Sequence, residues 1–387
     1  MYDWLIIGGG IHGCTVAVYL IKSKIATTEQ IRIVDPYKEP LHLWRKNTER
    51  IGMKYLRSPF VHHIDVDAFS LTKFAKKHKN EDFYGPYKRP SLELFNEHCM
   101  EIMDAVSLHN MWHCGLVKDI SKGSGCWRVD INNGESLLAK NVVLSISLIN
   151  QPMIPDWIQH VRNGQNVAHI FDENVKDLTD FEPPIIVVGG GITAAHTCIT
   201  LSELFPGNVT LLTRHDLRVH DFDSDPGWLG PKYMTAFHKV NDYGERRKMI
   251  QKARYKGSMP KELYNKLSML VRTEKLKIVI DEVIDISNDE RKHKFNLSKQ
   301  QFLEASSIIL TTGFEPTMPK QDWLHRLITA EKLACASCGF PIVKESLEWC
   351  KNLYVTGPLA ELELGPTARN ISGARKAAER IVLHSVV

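Results

Sequence analysis

The sequence predicts an α/β protein built on two parallel sheets, and three observations carry that expectation. An apolar run, Trp4-Leu5-Ile6-Ile7, leads straight into Gly8-Gly9-Gly10-Ile11-His12-Gly13. A second run, Ile185-Ile186-Val187-Val188, leads into Gly189-Gly190-Gly191-Ile192-Thr193-Ala194. Each is followed, roughly 20 residues on, by another short apolar run that ends at a polar residue, closing a strand–helix–strand unit. Short Ile/Val-rich runs without alternation are what a strand buried on both faces of a parallel sheet requires.

Taken in order, residues 3–7 read as a strand and 11–24 as the helix behind it. Ile31-Arg32-Ile33-Val34 is the next strand, ending at Asp35. Residues 40–90 read as irregular and rich in His, Arg and aromatics, and 91–110 as helical. Residues 112–143 read as short strands, with Gly-Ser-Gly at 123–125 and Asn-Asn-Gly at 132–134 as hairpin signals. Asn141–Ser145 returns as a buried strand. Pro152, Pro155, Pro183 and Pro184 bracket a polar connector. The second unit follows as strand 185–188, a helix over 192–205 and strand 209–213. Residues 216–275 form a polar, partly basic insertion, helical in its later part. Ser306–Leu310 is a strand ending at Thr311-Thr312-Gly313, and the tail reads as strand 353–356, Gly357-Pro358 and a helix over 367–384. This order describes two Rossmann-like dinucleotide-binding domains of the FAD/NAD(P)-binding kind. The first comprises 1–155 plus 310–387; the second, 156–309, is inserted in it.

Composition narrows the function classes. The 387 residues are 43% hydrophobic with a formal net charge of +4, a balance that argues against a nucleic-acid partner. No apolar run is long enough to span a membrane. The first strand begins almost at Met1, so no signal peptide is expected. Eight scattered cysteines suit free thiols in the cytoplasm, and no spacing suggests a metal site.

The two turns carry the chemistry. In the first, Gly8 allows the tight turn, Gly10 lets a pyrophosphate approach the backbone, and Gly13 lets the helix pack close to its strand. Ile11 and His12 open the helix, whose free N–H groups and positive dipole end suit phosphates. Asp35, with Pro36 after it, stands where an acid accepts hydrogen bonds from an unmodified ribose, as in the adenosine half of FAD. In the second turn Gly189, Gly191 and Ala194 take the three small positions, and Ile192 and Thr193 open the helix. Arg214 stands where the acid would be, with His215 and Arg218 nearby. A carboxylate there repels a 2′-phosphate and an Arg binds it, so the site reads as NADPH-preferring. The alternative for Arg214 is a solvated strand-end residue.

Two further segments widen this into a resemblance. Ile308-Ile309-Leu310-Thr311-Thr312-Gly313 resembles the strand–Thr-Gly crossover of two-dinucleotide flavoprotein oxidoreductases. Leu353-Tyr354-Val355-Thr356-Gly357-Pro358 resembles their closing FAD segment. The resemblance places Trp44, Arg45, Val117, Ser145, Gly357, Pro358 and Thr367 around FAD, and Thr312 and Gly313 near NADPH. Pro152, Pro155, Gly164 and His169, followed by Gly189, resemble the connector of flavin-containing and N-hydroxylating (lysine/ornithine N-hydroxylase-like) monooxygenases, with a slightly longer Gly-to-His spacing. Met53–Pro59 and His62-His63 resemble a flavin-flanking loop of the same group. That likeness implies Arg57 and His63 as catalytic groups, an Arg near the flavin stabilising its reduced, anionic form. The alternative is that they anchor an irregular loop.

The implied activity is an FAD-dependent, NADPH-using monooxygenase. It would hydroxylate a small amine or other soft nucleophile through an oxygenated flavin, with molecular oxygen as co-substrate. Two alternatives stay open: a reductase of a disulfide, quinone or protein partner, and a non-catalytic flavin-binding protein. Cys335-Ala336-Ser337-Cys338 keeps the reductase in view. The basic run Arg246-Arg247-Lys248, with Lys252, Arg254 and Lys256, is either a phosphate-binding surface or a solvated helix face. Trp228, in a Gly/Pro-rich loop, is the aromatic residue nearest the expected cleft.

Overall fold

The computed structural model describes residues 1–161, 166–175, 177–289, 292–299 and 302–385. Two sheets organise it. The strands of the first run in the order Glu348–Cys350, Leu353–Val355, Ser136–Leu144, Tyr2–Ile7, Ile31–Asp35 and Trp112–Cys114. A hairpin of Val117–Lys122 and Trp127–Ile131 joins the Ser136–Leu144 strand. Tyr2–Ile7 is central: Ile6 lies between Ile33 and Val143 in parallel register. All three are fully buried. Helix Ile11–Lys22 packs beside helix Ile371–His384. The small side chains of Ala17, Ala374, Ala377 and Ala378, all buried, let the two backbones approach.

The second sheet is parallel throughout, in the order Lys277–Ile280, Val209–Thr213, Ile185–Val188, Ser307–Leu310 and Val167–His169. Helices Ile192–Leu204 and Lys261–Arg272 cover one face, the latter with Leu263, Leu267 and Leu270 turned inward. A three-stranded antiparallel sheet of Val283–Asp289, Lys292–Leu297 and Phe302–Ala305 covers the other, with Phe295 and Leu297 against Ile186, Val188 and Leu212. The chain leaves the first sheet after Leu144 and rejoins it at Glu348.

Several elements differ from the sequence expectation. Residues 40–90 contain helices His42–Arg50 and Ser70–Lys77. The first buries only Thr48 and Arg50, so it shows none of the apolar periodicity that marks a helix in sequence. The antiparallel sheet was hidden because its strands alternate with charged residues in a stretch without strong turn signals. The last helix starts at Ile371, not 367, because Gly365-Pro366 holds the preceding residues in a loop.

The helix His42–Arg50 and the loop after it join the two lobes. Arg50 Nη1 donates to the carbonyls of Ile170 (2.7 Å) and Asp172 (3.1 Å). Ile51 is buried among the side chains of the second lobe, and its carbonyl accepts from Thr200 Oγ1. Further along, Arg89 pairs with Glu262 at 2.6 Å.

Candidate functional site

Each turn lies at the carboxyl end of a central parallel strand, where open α/β sheets bind ligands. In the first, Gly8 has φ +103°, and a Cβ on it would stand 2.5 Å from the Ser145 carbonyl oxygen. A Cβ on Gly13 would overlap the Gly8 carbonyl. Gly10, in contrast, faces open space: nothing lies within 4 Å of where its Cβ would be. Asp35 closes the turn from the neighbouring strand. Its Oδ2 accepts from the Gly9 amide at 2.6 Å and its Oδ1 from the Tyr37 amide at 3.0 Å. Burial pushes its carboxyl pKa up, and these two amides oppose the shift. A carboxylate offers about four lone-pair sites, so acceptor capacity remains for a ribose diol.

The neighbouring strand ends complete this pocket. Thr356 Oγ1 donates to Ser145 Oγ at 3.1 Å. Gly357, at φ +60°, brings its backbone against the His12 ring, 3.7 Å from where its own Cβ would stand. Both ring nitrogens of His12 are buried, with no well-formed hydrogen bond beyond a weak approach to the Arg369 backbone. Burial lowers its pKa to about 4, against a smaller opposing pull from the Arg369 backbone. Thr367 Oγ1 is likewise buried and unsatisfied. An unmet buried polar atom costs about 1–3 kcal/mol, so these atoms fit a polar molecule lying along Gly10 and Gly357. A flavin dinucleotide supplies such groups.

The other residues expected here have the following partners. Trp44 donates from Nε1 to Asn96 Oδ1 at 2.9 Å and packs on Phe95. Arg45 pairs with Glu39 and donates to the Pro40 carbonyl. Val117 is buried opposite Ile131 in the hairpin. Pro36 accepts from the Cys114 thiol at its carbonyl, and Pro358 is buried in the turn after Gly357. Trp112 was not anticipated. Its ring occupies the place a Gly9 side chain would need, and its Nε1 donates to the Tyr37 carbonyl at 3.0 Å. A tryptophan opening a strand beside Asp35 was the signal available in sequence.

The two expected catalytic groups, Arg57 and His63, both make contacts within the fold. Arg57 donates to the carbonyls of His220 (2.7 Å), Asp221 (3.1 Å) and Phe222 (2.5 Å) and to Ser258 Oγ (2.9 Å). Its Nε and Nη2 thus clamp the insertion. His63 is fully buried, with Nε2 against the Ala68 carbonyl and Nδ1 accepting from the Asp65 amide. Burial, then the nearby Arg375, holds its pKa down to about 4. His63 is closed off from solvent, whereas Arg57 is half-buried.

In the second turn Gly189 has φ +146°, with Thr311 where its Cβ would stand, and Ala194 is fully buried. Gly191 caps helix Ile192–Leu204, leaving the first-turn amides of Ile192 and Thr193 without intrahelical partners. Arg214 is exposed just past strand Val209–Thr213 and makes no hydrogen bond or ion pair among the described residues. His215 lies against Gly190 and Gly257, its Nδ1 2.8 Å from the Asp216 carbonyl oxygen. Thr312 donates to the Met153 carbonyl, and the Gly313 carbonyl accepts from the Met153 amide at 2.9 Å. The Thr-Gly crossover is thereby bonded to the connector that begins at Pro152. His169 is buried beside Phe171 and Phe314 at the same junction. Pro155 caps a short helical turn, and Gly164 lies outside the described residues.

The remaining candidates mostly serve packing. Trp228 is 9% exposed and packs on Tyr233 and Phe237. Arg246 donates to the carbonyls of Val240, Leu362 and His238. Arg247 pairs with the buried Glu361 and lies over the Phe340 ring. Cys335 and Cys338 are both free and half-buried, and burial, then the neighbouring Cys338, pushes the Cys335 thiol pKa up. Among the described residues, no helix is long and apolar enough to cross a membrane.

Comparison with known proteins matches this geometry. A family model described as pyridine nucleotide-disulphide oxidoreductase covers residues 2–379. No curated protein matches the sequence significantly. Among solved structures, an ornithine hydroxylase from Pseudomonas aeruginosa superposes with a TM-score of 0.79 at 18% identity, covering 99% of this chain and 98% of that one. A cadaverine monooxygenase from Erwinia amylovora, solved with FAD bound, gives 0.76 at 16% identity over 100% and 94%. An L-lysine 6-monooxygenase from Pseudomonas syringae gives 0.73 at 18% identity over 100% and 99%. At such identities the likeness establishes the fold.

Proposed function

The chain belongs to the pyridine nucleotide-disulphide oxidoreductase family, and on that footing we propose that it is an FAD-dependent, NADPH-using monooxygenase that hydroxylates a small amine. The observation that carries this reading is the asymmetry of the turns: an acid, Asp35, beside the first and a free cation, Arg214, beside the second. One suits the plain ribose of FAD, the other the 2′-phosphate of NADPH. The full-length likeness to three amine-hydroxylating enzymes supports the reaction type.

FAD, when bound, supplies hydride acceptance from NADPH and the reaction of the reduced ring with oxygen. Gly10 and the helix start at Ile11 bind its pyrophosphate, and Asp35 orients the ribose. His12, neutral in its buried position, offers one donor and one acceptor beside Gly357. Thr367 adds a hydroxyl. Thr312 and Gly313, bonded to Met153, set the crossover between the lobes.

The test is identification of the bound flavin, followed by NADPH oxidation with and without oxygen and with small mono- and diamines. The expected result is a yellow protein that consumes oxygen as it oxidises NADPH and converts an amine to its hydroxylamine. A protein that takes up no flavin on reconstitution overturns the reading. Cys335→Ser is expected to leave NADPH oxidation unchanged; its loss would point to a dithiol reductase.

A further inference from the structure

The Cys335–Cys338 pair lies between helix Asp322–Ala330 and strand Glu348–Cys350, outside both strand–turn–helix units. The fold gives it a defined shape, the tip of a hairpin. The Ile342 amide donates to the Ala334 carbonyl at 2.9 Å, and the Ala336 amide to the Phe340 carbonyl at 2.9 Å. Between these bonds Cys335 pairs with Pro341 in an antiparallel bridge. The Gly339 amide closes the tip onto the Ala336 carbonyl at 2.8 Å. Gly339, at φ +84°, takes the left-handed conformation that lets the second arm return beside the first. Cys335 thus stands immediately before a closed turn, and Cys338 is the third residue of that turn.

Backbone bonds hold this tip, and the two side chains are left to react. Cys335 and Cys338 are free and half-buried, and neither makes a side-chain hydrogen bond among the described residues. Other thiols are placed differently. Cys14, Cys99 and Cys198 are fully buried, and burial pushes their pKa values up. The Cys114 thiol donates to the Pro36 carbonyl.

A cation is seated against the hairpin. The Arg247 guanidinium, from helix Tyr243–Ala253, lies 4.2 Å from the centre of the Phe340 ring. It is fixed there by Glu361 and by the Pro316 carbonyl. Glu361 is shared with Arg369, so two guanidiniums meet one carboxylate and positive charge is left over beside the tip. Such charge favours a thiolate. Burial, then Arg369, lowers the Arg247 pKa to about 10, and a Cys338 thiolate opposes that shift. Burial, then Cys338, pushes the Cys335 thiol up, so the pair is unequal, with Cys335 held as the thiol.

We infer that Cys335 and Cys338 form a peroxide-oxidisable dithiol, a site separate from both nucleotide turns that closes reversibly into a disulfide. The Cys338 thiolate attacks one oxygen of hydrogen peroxide. The O–O bond breaks, the sulfur becomes a sulfenic acid, and the departing hydroxide takes up a proton to leave as water. The Cys335 sulfur then gives up its proton and attacks the Cys338 sulfur. An S–S bond forms, the S–O bond breaks, and a second water leaves. In sum, two thiols are oxidised and one peroxide is reduced to two waters. The source of peroxide rests on the proposed function: reduced flavin that meets oxygen with no amine to hydroxylate passes its two electrons to oxygen and yields hydrogen peroxide. The reaction of the thiols does not depend on that reading.

Intact mass and thiol alkylation of the FAD-loaded protein, before and after an equivalent of hydrogen peroxide, test the site. The tryptic peptide 333–344 holds both cysteines and is expected to lose the mass of two hydrogens, with both thiols lost to alkylation together. Dithiothreitol is expected to restore both. Cys335→Ser is expected to stop at a sulfenic acid on Cys338, trapped by dimedone, and Cys338→Ser to leave the peptide unoxidised over the same interval. Cys126 and Cys350, half-buried as well, are expected to stay open to alkylation. A peptide 333–344 of unchanged mass overturns the proposal, and so does oxidation spread evenly over the half-buried thiols. In a second arm NADPH and air replace the added peroxide, with and without catalase. The same mass loss is expected, and catalase is expected to abolish it. No loss in this arm, while added peroxide still closes the bond, overturns the flavin as the source of peroxide and leaves the dithiol site standing.

Discussion

The Gly9 amide donates to Asp35 Oδ2 at 2.6 Å, so the acid that meets the ribose also braces the turn that meets the pyrophosphate. Removing it therefore acts twice. Asp35→Ala is expected to lower the FAD-to-protein ratio and to destabilise the apoprotein by about 1.5–3 kcal/mol, the range for hydrogen bonds to a charged group. Flavin absorbance after gel filtration reads the first effect, and the urea midpoint of the apoprotein the second. Wild-type flavin occupancy in the variant rules out the ribose contact.

Arg214 is exposed and lacks a partner among the described residues, so its loss should not disturb the fold. Arg214→Ala is expected to lower the ratio of kcat/KM for NADPH over NADH by roughly 10- to 100-fold, with the NADH value nearly unchanged. Steady-state rates with both nucleotides decide it. A ratio that does not move removes Arg214 from the phosphate site.

Arg57 bonds three carbonyls and a hydroxyl of the insertion. Arg57→Ala is expected to cost about 1.5–3 kcal/mol, read as a lower urea midpoint, because the bonds of a charged, half-buried guanidinium are lost. Arg57→Lys should recover little of this, since an ammonium cannot span the same fork of acceptors. A variant with wild-type stability but a collapsed rate of flavin reduction would instead return Arg57 to a catalytic role.

Three buried histidines make stability depend on pH. Burial holds the pKa values of His63 and His196 at about 4 and that of His98 at about 3, against 6.5 when free. In the unfolded chain these rings take up protons as pH falls below 6.5, and in the folded chain they do not. Their contribution is therefore complete above pH 6.5 and is lost progressively as pH falls toward 4. Urea midpoints measured at intervals between about pH 7.5 and about pH 5 should fall with pH; a flat profile would show that the rings charge without unfolding.

The strand–turn–helix units were legible because their cause is local. A four-residue apolar run such as Ile185–Val188 is buried whatever surrounds it, and Gly8 and Gly189 need their positive φ for the turn itself. What escaped was set by partners far away in sequence. Arg57 and His63 sit in a stretch resembling a flavin-flanking loop, yet one faces carbonyls at 220–222 and the other Ala68 and Asp65. Helix His42–Arg50 was invisible because it packs between lobes with polar residues. Trp112 covers Gly9 through a contact that no spacing rule encodes. Arg246 and Arg247 appeared as charges in a basic run, and only the fold commits them to carbonyls and to Glu361.

Ile51 belongs by chain order to the first lobe but lies in the core of the second. A core side chain lent across a boundary couples the melting of the two lobes, since unravelling the 42–52 segment empties a packed site in the second lobe. Rotation of one lobe against the other would have to withdraw Ile51 into water. On the proposed function, this packing predicts that nucleotide and substrate reach the flavin without a large rotation of the lobes.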